Sequence, residues 1–244
     1  MVRAVTWRNV RLRYKSSFFG FFWTLLNPLL FLLIFLLIFS EAFPQVENYP
    51  VFALSGLIFW SFFATTSAHV MGALVENAAV LRSLAVPPLV FPLAQLLAGL
   101  FNLFISFIPF AIILHLFGRV PHPTDLLVLP IVLCFAAFML GISLALASLN
   151  VYFRDIGLLW NALLPAFFYI TPIAYPADLI PERMRWIAEA NPLYHYIAAF
   201  REVLYYGRVP AMDQWILIVG LAVLASMIGR VLYRALRPGF IANY

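Results

Sequence analysis

Charge is what this 244-residue chain has least of: Asp, Glu, Lys and Arg make up 10% of it, against 65% hydrophobic residues and a mean hydropathy of +0.98. Soluble domains carry about a quarter charged residues, so the composition excludes an ordinary soluble protein. There is one cysteine, Cys134, inside an apolar run, which rules out an internal disulfide and a thiolate metal cluster. The sole lysine, Lys15, precedes Ser16 but follows Tyr14 with no glycine loop before it, so no phosphate-binding P-loop is present. The chain also has no His-Glu-x-x-His, no Cys-x-x-Cys pair and no paired carboxylates. It is read as a non-enzyme with no cofactor of its own; if ATP drives it, ATP and Mg are bound by a partner chain. The net charge of +5 is scattered between apolar spans rather than gathered into a stripe, which argues against nucleic acid.

What is present in quantity is apolar length. The run FFGFFWTLLNPLLFLLIFLLIF, Phe18–Phe39, follows five basic residues (Arg3, Arg8, Arg11, Arg13, Lys15) and no acidic one. As a helix its 22 residues extend about 33 Å, enough to cross a bilayer. A cleavable signal peptide also begins with basic and apolar residues, and Ser40-Glu41-Ala42 resembles a cleavage site, but the run is longer than a typical signal core and more spans follow. Further spans are expected near Val51–Val75, Leu89–Leu114, Leu126–Leu149, Gly157–Ala174 and Gln214–Tyr233. That makes an all-α integral membrane protein of six transmembrane helices in one domain, residues 1–244. With both termini cytoplasmic, ten basic residues fall inside (Arg3, Arg8, Arg11, Arg13, Lys15, Arg82, Arg154, Arg230, Arg234, Arg237). Five fall outside (Arg119, Arg183, Arg185, Arg201, Arg208), as the positive-inside rule requires.

Ionisable residues at span centres mark ion or proton pathways. His69 is the only one found here, toward the inner end of the second span, so an ion-coupled carrier is disfavoured. Three segments remain as functional candidates. Val2–Lys15, as a helix, sets Arg8, Arg11 and Lys15 on one face and Val2 and Val5 roughly opposite, with Arg13 out of pattern; it is expected to lie along the inner interface. The inside loop NAAVLRSLAVPP, Asn77–Pro88, makes two helical turns that Pro87-Pro88 stops, giving a short rigid helix suited to transmit force. In Asn150–Pro176, Arg154-Asp155 marks the inner end of the fifth span, and Pro165, Pro172 and Pro176 are expected to break it near the outer end, a candidate gate. Aromatics are 17% of residues; Phe18, Phe22, Trp23, Phe168, Tyr169 and Tyr175 suit either interfacial belts or a pathway whose rings let sugar faces slide. Ala64, Ala68 and Gly72 form a small-residue stripe permitting close helix packing.

Together RYKSSFFGFFWTLLNPLL (Arg13–Leu30), NAAVLRSLAVPP, and NVYFRDIG with FFYITPIAYP resemble the transmembrane subunit of ABC-2 type exporters, polysaccharide branch, over nearly the whole chain. The resemblance implies a homodimer docked on two copies of a separate nucleotide-binding ATPase, in the inner (cytoplasmic) membrane. It implies export of an undecaprenyl-diphosphate-linked glycan such as O-antigen or teichoic acid. By the resemblance Asn77–Val86 is the coupling helix, with Asn77, Leu81, Arg82 and Ser83 joined by Arg8 and Arg11 of the interface helix in meeting the ATPase. Arg13, Lys15 and Arg154 lie where a diphosphate head would be attracted. The segment after Tyr169 is the outer gate, and re-entrant helices follow within Ala177–Arg208. A domain recognising the glycan end, if there is one, is expected on the ATPase. An exporter of drugs or small lipids is the nearest alternative, and an ion-coupled carrier a remote one.

Overall fold

A computed structural model describes residues 1–14, 22–39 and 43–243 of the chain. The described residues form helices and turns, with no strand. In order the helices are α1 (Val2–Tyr14), α2 (Phe22–Phe39), α3 (Tyr49–Glu76), α4 (Ala78–Ser83), α5 (Val90–Leu116), α6 (Val128–Tyr152), α7 (Asp155–Ile170), α8 (Arg185–Glu189), α9 (Pro192–Leu204), α10 (Met212–Leu236) and α11 (Phe240–Asn243). Among the described residues α3, α5, α6 and α10 are long and apolar enough to cross a bilayer, while α2 and α7 contribute shorter apolar helices. All six expected spans therefore correspond to apolar helices, but four reach full spanning length.

The shortness of α7 has a local cause. Pro165 does not break it: the helix runs through Pro165 and ends at Ile170, correcting the expectation of a break there. The stop comes from Pro172, because the residue before a proline is pushed out of the α region. Thr171 is accordingly extended, at φ −84° and ψ 129°. The coupling segment is also shorter than expected. α4 ends at Ser83, not at Val86, with Leu84 extended at φ −128° and ψ 140° while its amide still bonds the Val80 carbonyl. The Ser83 hydroxyl turns back to the Ala79 carbonyl at 2.9 Å, so the helix closes before the prolines act.

α3 is the central post, in contact with α2, α5, α6, α7 and α9. Its N-terminal half is buried on nearly every side: Ala53, Leu54 and Phe59 have no exposed surface. Much of the aromatic content is spent in this core rather than in belts or linings. Phe59 meets Phe200 at 4.3 Å and stacks on Phe135 at 5.2 Å, and Phe135 meets Tyr196 at 4.9 Å. Such pairs each add about 0.5–1.5 kcal/mol beyond area burial. Tyr196 is wholly buried, and its hydroxyl donates to the Ile218 carbonyl at 2.8 Å, so the polar tip is satisfied within the core.

α10 runs along α6, and small residues bring the two backbones together. A side chain at Gly141 would run into the backbone of Ala225, and Gly229 lies against the Gly141 carbonyl. The stripe singled out in the sequence does less: Ala64, Ala68 and Gly72 are half-exposed, and the side chain nearest to Gly72 is that of Glu76 on its own helix. Gly141→Val is expected to cost about 1–3 kcal/mol through overpacking. Gly220→Val, at a position with no neighbour within 4 Å, should leave stability unchanged. Thermal unfolding of the detergent-purified variants checks both.

Candidate functional site

Three places hold the polar chemistry: the end bearing α1 and α4, a cavity between helices, and the chain after α7. At the first, a hydrophobic cluster joins Leu74 of α3, Leu81 of α4, Phe91 of α5, Ala147 of α6, Tyr233 of α10 and Phe240 of α11, with Val5 of α1 packed on its edge. Leu81 is the anchor of α4; Arg82 and Ser83 next to it are exposed. Asn77 is the joint between α3 and α4. Its side-chain amide donates to the Ala73 carbonyl at 2.8 Å, and its oxygen accepts from Arg8 Nη2 of α1 at 3.0 Å. Arg11 is exposed, with its guanidinium 5.2 Å from the Trp7 ring. Of the sequence-predicted coupling residues, Arg8 and Asn77 are thus brought together, tying α1 to the joint between α3 and α4 by a hydrogen bond.

α1 divides as its sequence reads, with Arg8 and Arg11 exposed and Val2 and Val5 on the less exposed side. Its less exposed positions are Val2, Val5, Thr6, Asn9, Val10 and Arg13, spaced three and four apart, and Val10 is buried. The spacing is that of one helical face, and α1 packs against α5. Arg13 therefore belongs to the inward face, which accounts for its place out of pattern. It lines a cavity of about 280 Å³ together with Trp23 and Asn27 of α2, Thr65 and Thr66 of α3, and Asn102 and Ser106 of α5. Gly99 makes the crossing beside it, since a Cβ there would overlap the Thr66 side chain. Amides, hydroxyls and a guanidinium in an otherwise apolar bundle form a donor-rich pocket suited to phosphate or hydroxyl groups. A search for ionisable residues missed Asn27, Asn102 and Ser106, although each stands out in its apolar run. Lys15 and Phe18 lie outside the described residues. Phe22 opens α2, and Trp23 is half-exposed.

Arg154 does not join Arg13: it is exposed at the start of α7, away from the cavity lining. It makes no ion pair with Asp155; among the described residues the ion pair is Arg119–Asp125, at 2.7 Å. α7 buries one side chain, Trp160, whose Nε1 donates to Ser67 Oγ at 3.0 Å, and leaves Leu158, Leu159 and Tyr169 exposed. The aromatics expected at the gate divide accordingly. Phe168 packs inward, 5.3 Å from Trp60 and 6.2 Å from Phe35 of α2. Tyr169 is open, and the Tyr175 hydroxyl donates to the Tyr169 carbonyl at 2.8 Å, capping the end of α7. Pro172 and Pro176 do lie in the irregular chain beyond the helix.

Arg201 holds that chain and was missed in the sequence, where it counted as an outer-loop charge. α9 carries it between Phe200 and Val203 into a fully packed position, 6% exposed, which decides its role: a buried cation needs partners. Nη1 donates to the Pro172 carbonyl at 2.9 Å, Nη2 to the carbonyls of Phe52 at 3.2 Å and of Ile173, and Nε to Ser55 Oγ at 3.2 Å. Its carbon lies 3.6 Å from the Phe52 ring centroid. Gly56 clears the way, since a Cβ there would meet the Ile173 carbonyl. Asn191 and Tyr49 add bonds to Thr171 Oγ1 at 2.7 Å and to the Ala174 carbonyl at 2.9 Å. At the rim the Tyr205 hydroxyl bonds the Glu47 carbonyl, and burial pushes its pKa up to about 12, so it remains a neutral donor at physiological pH. The legible signal was a lone cation between the apolar pieces Leu193–Phe200 and Val203–Tyr206.

The described residues thus hold an exposed basic face on α1 and α4, a polar cavity between apolar helices and a clamped break after a short helix. The family model described as ABC-2 type transporter matches residues 1–205, and the chain belongs to that family. It is 35% identical over 207 residues to an O-antigen export system permease protein RfbA of Klebsiella pneumoniae, covering 83% of this chain and 79% of that one. It is 29% identical over 237 residues to the RfbA permease of Myxococcus xanthus, covering 96% and 91%. The polysialic acid transport protein KpsM of Escherichia coli is 25% identical over 248 residues, covering 99% and 95%.

Arg201→Met should leave the Pro172 and Ile173 carbonyls without a donor, at about 1–3 kcal/mol for each buried group, while the Phe52 carbonyl keeps Ser55 Oγ. Arg201→Lys should restore only part, because an ammonium lacks the planar fork. Thermal unfolding of the purified chain measures both against the parent.

Proposed function

We propose that the chain is the transmembrane permease subunit of an ABC exporter that moves a lipid-linked polysaccharide, such as O-antigen or teichoic acid, across the cytoplasmic membrane. Similarity across nearly the whole chain to permeases of O-antigen and polysialic acid export carries the reading. In this account the six apolar helices α2, α3, α5, α6, α7 and α10 span the membrane with both termini cytoplasmic, and α8 and α9 re-enter the outer leaflet. Two copies pair with two ATPase subunits, which bind ATP and Mg.

The working parts follow from the chemistry. Arg82 and Ser83 on α4, with Arg8 and Arg11 on α1, meet the ATPase. Leu81 and the Arg8–Asn77 bond make α1 and α4 move together with α3 and α5. The diphosphate head of an undecaprenyl-linked glycan is drawn in by Arg13, Lys15 and Arg154 at the inner surface. The donor-rich cavity beside Arg13 supplies uncharged partners for it. The open faces of α2 and α7, with Trp23 and Tyr169, line the route between the two copies. Aromatic faces there let sugar rings slip without bonds that would trap them. Release at the outer end moves the segment from Thr171 to Pro176, where the helix is already broken.

Two variants test the parts separately, each made in the complex purified with its partner ATPase. Arg82→Glu should abolish stimulation of ATP hydrolysis by lipid-linked glycan while the complex still assembles on size-exclusion chromatography. Arg154→Ala should leave assembly intact and lower export; unchanged export would remove Arg154 from the mechanism.

A further inference from the structure

The side of the α6–α10 pair away from the pathway carries a feature that export does not use. A cavity of about 490 Å³ opens at the α11 end of α10, lined by Leu140 and Leu144 of α6 and by Arg230, Arg234 and Arg237. It shares Ser226 and Arg230 with a second cavity of about 420 Å³, whose walls include Cys134 and Ala137 of α6 and Val219, Val223 and Met227 of α10. Together they make one trough with a cationic mouth and an apolar floor. The three arginines recur at intervals of four and three, so they share a helix face, and all three are exposed. The acidic residue of α10, Asp213, is at its opposite end, and among the described residues none of the three arginines is in an ion pair.

The geometry points to a binding site for an anionic phospholipid of the cytoplasmic leaflet, its phosphate among Arg230, Arg234 and Arg237 and an acyl chain along the trough. Length supports this occupant: from Arg230 to Val219 the helix rises about 16 Å, half of a hydrocarbon core of about 30 Å, which is one leaflet. Charge supports it as well, since clustered arginines at the membrane surface each add about 1 kcal/mol toward anionic lipid. α10 packs on α6 and α9 and makes no substantial contact with α2 or α7, which separates the trough from the proposed glycan route. The leaflet rests on the orientation proposed above; binding itself does not.

Native mass spectrometry of the detergent-purified full chain, titrated with dioleoylphosphatidylglycerol, dioleoylphosphatidylcholine or undecaprenyl phosphate, tests the site. Phosphatidylglycerol should be retained in preference to phosphatidylcholine. Arg230→Gln, Arg234→Gln and Arg237→Gln combined should weaken it by about tenfold or more. Val223→Trp, at an exposed position that leaves the arginines untouched, should also displace the lipid and decides the matter if the triple variant fails to fold. Equal retention of phosphatidylcholine, or variants that bind phosphatidylglycerol as the parent does, would overturn the proposal. So would a preference for undecaprenyl phosphate, which would assign the trough to the transported lipid. Because binding is read in detergent without ATP, its failure leaves the export reading standing, and failed export leaves the lipid site standing.

Discussion

Inside a bilayer no water is available to satisfy a backbone that leaves its helix, so every interruption must be answered by protein. This chain interrupts α7 at Pro172, and Arg201 answers it. One guanidinium takes the Pro172 and Ile173 carbonyls from the broken end and the Phe52 carbonyl from α3. Backbone dipoles take the place of a carboxylate as its counter-charge. That choice fixes much around it: Gly56 must be small, α9 must bring Arg201 in between α3, α6 and α10, and the aromatic core around Phe200 forms as α9 docks.

The two ends of the molecule are therefore built differently. Around α4 the ties are a hydrophobic cluster and a single exposed hydrogen bond, Arg8 to Asn77. Around Arg201 they are buried, directional and shared by several helices. A push on α4 meets α3 directly, and α3 carries at its other end the carbonyl that Arg201 holds. In the proposed exporter, force from an ATPase on α4 would have a packed path through α3 to the break in α7, and opening the proposed gate would trade one set of carbonyl partners for another.

Apolar length and loop charge made the helices legible in the sequence, and their boundaries agree to within a few residues apart from the ends of α4 and α7. Both errors lie in how prolines were read: Pro165 was given a break that only Pro172 makes, and Pro87-Pro88 a stop that comes earlier. Pro165 sits inside α7, whereas α4 ends before its prolines through a serine back-bond and an extended Leu84. The short helix α4 carrying Leu81, Arg82 and Ser83 after Asn77 was legible because its residues are close in sequence. Arg201 was not, because its partners are about 30 and 150 residues away and exist only once α9 has folded back. The cavity beside Arg13 was overlooked for a different reason, since apart from Arg13 its polar lining is neutral, and a few residues from each of three helices carry no pattern. The aromatic excess was weighed between belt and lining, yet much of it packs the core around Phe59 and Phe135.

The central claim is that this chain is the path, and a partner ATPase the motor, for a lipid-linked glycan. The most direct measurement reconstitutes the chain with that ATPase in proteoliposomes and follows undecaprenyl-diphosphate-linked polysaccharide across the bilayer. The account predicts movement that requires both ATP and the ATPase subunit, and that stops with vanadate. Glycan movement by the purified chain alone, or ATP-driven movement of small amphipathic drugs with none of the glycan, would contradict it.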